Sequence, residues 1–126
     1  MAIRGDKFLK LSKAGFFSIK EHALERMEEF LGAMPDLDDA FEMFCGSIQL
    51  SFSEMWMRGY RPAYKQRKEA GIPTWYFELP CNEVELIAVI SKGMMCGEYE
   101  WVTTYTRNHR NESNILWGID LSFQAA

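Results

Sequence analysis

The texture of the chain changes at Gly71, and no other feature restricts the fold as tightly. Before it, apolar residues recur at helical spacing. After it come three segments rich in aromatic and β-branched residues: TWYFEL (74–79), VELIAVIS (84–91) and YEWVTTYT (99–106). NILWGIDLSF (114–123) is a fourth candidate strand. Pro80, Cys81, Asn82 and Glu83 make one short connection, and KGMMCG (92–97) makes another, both of hairpin character. Helices followed by hairpin-linked strands predict an α+β fold. Its N-terminal helices pack on one face of a C-terminal antiparallel β-meander of about four strands. At 126 residues the chain reads as a single domain, with a helical half over about 18–70 and a sheet half over about 74–123.

Within the helical half, Ser18 stands three residues before Glu21, the spacing of a capping box. Ile19, Ala23, Met27 and Phe30 then follow one helical stripe, widened by Leu24 and Leu31. Gly32 suits the C-terminal cap and Pro35 resists continuation. Asp36 or Asp38 caps a second helix through DDAFEMFCGSIQL (38–50). A third, weaker helical stretch covers SEMWMRGYRPAYKQRKEAG (53–71), divided or kinked at Pro62.

An aromatic share of 14% and a hydrophobic share of 48% argue for a packed core over disorder. No apolar run approaches the roughly 20 residues of a membrane helix. The basic start MAIRGDKFLKLSK is not followed by an apolar h-region, so no secretory signal is read. Cys45, Cys81 and Cys96 are odd in number, far apart and without a CxxC pair. They fit small core residues in a reducing cytoplasm better than disulfides or a zinc site. The net charge of −4 does not mark a nucleic-acid binder, but the charge is polarised. Residues 20–42 carry eight acids against Lys20 and Arg26, whereas 58–69 carry five cations against Glu69. Such a chain can turn a basic face to a polyanion despite its negative total; solvated helix faces give the same pattern.

Chemistry could sit in three places. At about 100° per residue, His22 and Arg26 form an i, i+4 pair on the flank of the first helix, with Glu29 on the same line. A histidine that titrates near neutrality beside a permanent cation offers a proton carrier and a charge stabiliser. The plainer alternative is a half-exposed histidine bonded to Glu29 or solvent. In WVTTYTRNHR (101–110), strict alternation puts Trp101, Thr103 and Tyr105 on one face, and Val102, Thr104 and Thr106 on the other. Their hydroxyls, next to Arg107, His109 and Arg110, suit phosphate oxygens, although threonine and tyrosine are also ordinary strand formers. His109 is a second proton carrier or a solvated loop residue. Third, RGYRPAYKQRK (58–68) interleaves Arg61, Lys65 and Arg67 with Tyr60 and Tyr64, as in single-stranded nucleic-acid grooves or on an ordinary charged helix. GxGxxG, P-loop, GxSxG and HExxH motifs are absent, and DLDD lacks the spacing and glycine of an EF-hand. Two histidines at 22 and 109 do not make a zinc set. No metal or cofactor is expected.

SIKEHALERMEE (18–29) resembles the opening helix of small toxin-like domains in the barnase–EndoU–colicin–RelE superfamily. There a serine, then HA, then an arginine four residues after the histidine recur. ELPCNEVELIAVISKG followed by WVTTY resembles the later sheet of that group, with its threonine-x-tyrosine strand. The resemblance covers residues 16–30 and 77–106. It implies a metal-independent endoribonuclease, a cytoplasmic toxin of a toxin–antitoxin or phage-related system. In that chemistry the ribose 2′-OH attacks the adjacent phosphate, leaving a 2′,3′-cyclic phosphate. By position, His22 is then the acid/base, Arg26 a phosphate contact, and Thr103 and Tyr105 orient the scissile group. Arg107, His109, Arg61, Lys65 and Arg67 are read as further substrate contacts from their charge alone. The partners expected are RNA and an antitoxin or host protein, with no membrane. The alternative is a non-catalytic protein- or RNA-binding module, with the Met- and aromatic-rich segment FEMFCGSIQLSFSEMWM (41–57) as its contact surface.

Overall fold

The computed structural model describes residues 3–60, 71, 73–81 and 85–106. In chain order the elements are α1 (Gly5–Leu11), β1 (Phe16–Ile19), α2 (Glu21–Leu31), α3 (Leu37–Cys45), β2 (Ile48–Leu50), α4 (Phe52–Met57), β3 (Thr74–Glu78), β4 (Leu86–Lys92) and β5 (Glu98–Thr106). The fold is α+β, as expected. The sheet has five strands in the order β1-β5-β4-β3-β2. β3, β4 and β5 form the expected antiparallel meander, and β2 adds to β3 antiparallel. β1 lies parallel to β5, which makes the sheet mixed. The candidate strand at 114–123 lies outside the described residues.

Two strands come from the half read as helical, and each corrects an expectation. Ser18 does not cap a helix. It sits in β1 opposite Glu100, and α2 starts after Lys20, an extended residue with no side-chain cap. The Lys20 N–H donates to the Trp101 carbonyl instead (3.0 Å), so pairing with β5 fixes where the helix begins. The helix expected to run to residue 50 stops at Gly46, and Ile48–Leu50 pairs with β3. The third helical stretch is short. α4 ends at Met57, and Gly59 follows with φ +84°, a conformation that favours glycine. The other caps match expectation. Gly32 is left-handed at φ +86°, and the Asp36 carboxylate accepts the Asp39 N–H at 2.8 Å. α1 has no counterpart in the sequence reading.

The helices do not all cover one face. Phe8 of α1, Ala23 and Met27 of α2 and Ala40 and Phe44 of α3 pack with Phe77, Leu86, Ala88, Ile90 and Trp101 on the first face. α4 lies on the second, where Met55 and Tyr60 join Leu50, Tyr76, Ile87, Val89 and Tyr105. With both faces covered, β4 is buried over six of its seven residues. That is why LIAVIS reads as a continuous apolar run and not as an alternation. Gly5 lets α1 dock on the end of α3: a Cβ there would collide with the Phe44 carbonyl oxygen.

Candidate functional site

β1 stops at Ile19, opposite Trp101, whereas β5 continues to Thr106. α2 runs along the rest of that β5 edge and brings the His22–Arg26 flank to it. Arg26 is largely used up by this arrangement. Its Nε donates a long bond to the Thr104 carbonyl (3.4 Å), which β1 no longer reaches. Its Nη1 donates to both carboxylate oxygens of Glu29, at 3.0 and 3.3 Å, and its guanidinium lies 5.3 Å from the centre of the Phe30 ring. Its side chain is 19% exposed but that of Glu29 is 53% exposed, so the ion pair stands at the surface and the bond to Thr104 is partly buried. Arg26 thus covers part of an exposed strand edge, one of the ways in which sheet margins are kept from pairing. His22, one turn earlier, is exposed and makes no hydrogen bond or ion pair with a described residue. Glu29, the bonding partner considered for the histidine, is engaged by Arg26.

Thr103 and Tyr105 face elsewhere. The register of β4 against β5 shifts between Val89 and Ile90. Val89 pairs with Thr103 and Ile90 with Trp101, leaving Val102 as the extra residue of a bulge. The bulge breaks the strict alternation expected for this strand. Trp101 joins the first-face cluster, and its indole N–H donates to the Thr104 hydroxyl at 2.9 Å. Tyr105, opposite Ile87 and 2% exposed, lies in the second-face cluster, and Thr103 pairs with Val89 of the same cluster. His22 and Arg26 therefore meet the edge of β5 from the first face, while Thr103 and Tyr105 serve the second. These four residues do not surround one point. Arg107, His109, Arg61, Lys65 and Arg67 lie outside the described residues.

The second face carries a polar cluster that the sequence did not suggest. The Glu78 carboxylate accepts from Arg58 Nη1 at 2.6 Å and from the Tyr60 hydroxyl at 2.9 Å. Tyr60 is fully buried, so its ring packs while its oxygen is satisfied, and the trio ties the end of α4 to β3. Residues 18 and 20 positions apart in sequence give no local signal of such a contact. Among the described residues no group of His, Cys, Asp and Glu could hold a metal ion. No helix among them is long and apolar enough to cross a membrane. The three cysteines are free thiols. Burial first, then the Asp6 carboxylate, pushes the Cys45 thiol up, so it stays protonated at neutral pH and offers no ready nucleophile.

Several large apolar side chains remain outside the core. In segment 41–57 these are Phe41 (42% exposed), Phe52 (44%), Trp56 (49%) and Met57 (85%). Phe52 and Trp56 sit one turn apart on α4 with their rings edge to face, 6.3 Å between centres. Comparison with protein-family models, curated proteins and solved structures returns no match.

Proposed function

We propose that this chain is a non-catalytic protein-binding module whose contact surface is built on α4. The observation that carries this is the Phe52–Trp56–Met57 group. A six-residue helix spends one buried side chain, Met55, on the core and keeps three large apolar ones at the surface. Contiguous exposed aromatics and methionine of this kind mark partner surfaces, and methionine adapts to varied partners. The test is affinity capture from the source cells with wild type, Trp56→Lys and His22→Ala. A specific partner retained by wild type and His22→Ala but lost with Trp56→Lys supports the module. Equal capture by Trp56→Lys overturns it.

One observation favours a second reading, a metal-independent endoribonuclease. His22 is exposed one turn from Arg26, so a proton carrier stands beside a cation that would meet phosphate by giving up its bonds to Glu29. In that chemistry His22 takes the 2′-OH proton as that oxygen attacks phosphorus, the P–O5′ bond breaks, the departing 5′-oxygen takes a proton from water to leave as a 5′-OH, and Arg26 meets the phosphoryl oxygens of the cyclic phosphate. Total RNA and tRNA incubated in EDTA with wild type and His22→Ala decide it. Cleavage by wild type alone supports the ribonuclease, and intact RNA with a folded protein removes it.

A further inference from the structure

The outer edge of β1 lies at the opposite end of the sheet from β2 and α4 and is independent of the surface proposed above. In its parallel pairing with β5, β1 uses alternate residues. The Phe16 N–H donates to the Gly97 carbonyl (3.2 Å) and the Lys20 N–H to Trp101 (3.0 Å), with Ser18 between them in the same phase. Phe17 and Ile19 therefore direct their N–H and C=O groups outward. Neither has a hydrogen bond to another described residue on that side. Strands left open in this way are normally guarded by a charge, a proline or a bulge. The sequence FFSI has none of these, and Phe16 stands 68% exposed on the second face.

We infer that this edge captures an extended segment of a partner protein, added as a sixth strand, with basic side chains on the helix-bearing face. Backbone pairing at Phe17 and Ile19 supplies the docking bonds, and alternate side chains supply selectivity. On the first face, the incoming strand meets α3, whose Phe41 lies 6.0 Å from the Phe17 ring and is flanked by exposed Asp38 and Glu42. The stretch from Lys20 to Glu42 carries six acids in excess, and Lys20 is already paired with Glu100 at 3.2 Å. Lysine or arginine on that side of the partner is thus matched in charge. On the other face the partner's apolar side chains lie against Phe16. A second copy of this chain would bring the same acidic surface against itself, which disfavours it as the occupant.

The probe is a blocked peptide of alternating lysine and valine, with a glutamate–valine peptide as its counterpart. The readout is amide hydrogen exchange, residue by residue, on the intact wild-type chain. Free protein should exchange Phe17 and Ile19 at least about tenfold faster than Ser18 and Lys20 on the same strand. The lysine peptide should slow Phe17 and Ile19 by about tenfold or more at saturation, with Ser18 unchanged, while the glutamate peptide leaves them fast. No protection by the lysine peptide, or equal protection by both peptides, overturns the inference. Protection that rises with protein concentration in the absence of peptide also overturns it and names a second copy as the occupant.

Discussion

The two margins of the sheet are finished in different ways. At β2 the chain's own N-terminal segment folds back along the strand. The Ile3 carbonyl accepts the Gln49 N–H at 2.7 Å, Arg4 bridges Ile48, and the Gly5 N–H donates to Ser47 at 2.9 Å. At β1 the protection is partial. α2 and Arg26 cover the edge of β5 beyond Ile19, but no described residue pairs with the outer side of β1. Neither edge strand carries a guarding charge or proline of its own, so protection here depends on what the neighbouring backbone does. One margin is completed within the molecule, and the other is left able to pair.

The largest effect is expected where the closed margin is anchored. Gly5→Ala drives a methyl group into the Phe44 carbonyl and moves the residue whose N–H ties the segment to Ser47. It should lose about 2–3 kcal/mol in urea unfolding, and the Gln49 amide should lose its exchange protection. Unchanged stability would mean that α1 shifts freely and does not guard β2.

Arg26→Ala tests the covered part of the other margin. It removes the donor to the Thr104 carbonyl and frees Glu29, so about 1 kcal/mol should be lost. The Arg26→Lys variant should recover only part of that, because an ammonium cannot reach the carbonyl and the carboxylate with one planar group. Full recovery by lysine would reduce Arg26 to a surface charge.

On the bare edge, Phe16→Lys should leave stability within about 0.5 kcal/mol. A larger loss would show that Phe16 is packed and that the β1 edge is not free. The smallest effect concerns α4, beside the closed margin. The Ser51 backbone N–H donates to the Glu54 carboxylate at 2.8 Å, and this bond, followed by the Ser51 hydroxyl, holds the Glu54 pKa below its ordinary value. A carboxyl whose folded pKa is depressed stabilises the fold above its unfolded pKa and ceases to do so as pH falls through the folded one. Amide protection factors in α4, taken relative to the intrinsic exchange rate at each pH, should therefore fall on acidification below the usual glutamate range, and Glu54→Gln should lack that step. An identical acid profile in the variant removes the capping box as its cause.

What could be read in the sequence follows the range of the forces involved. α2 and α3 were legible because their stripes, Gly32 and Asp36 are local signals. β3, β4 and β5 were legible because their buried positions are apolar or β-branched over five or more residues. β1 and β2 are only four and three residues long, and their strand character comes from Glu98–Trp101 and Tyr76–Glu78. Ser18 and Ser47 look locally like residues of a helix start and a helix interior, and distant pairing overrides both. The bulge at Val102 carries no glycine to announce it, so strict alternation put Trp101, Thr103 and Tyr105 on one face. At the site, the His22–Arg26 flank followed from helix geometry, whereas Arg26's bond to Thr104 spans 78 residues and had no local trace.

The parallel pairing of β1 with β5 also bears on how the chain is made. Phe16 emerges from the ribosome about 80 residues before Glu98, its partner across the ladder, a delay of several seconds at ordinary rates of synthesis. The β3–β4–β5 meander assembles from near neighbours, but the N-terminal strand and the apolar side of α2 have no sheet to rest on until β5 has been made. For that interval the nascent chain leaves FFSI and the Met27 stripe without the sheet that covers them in the fold.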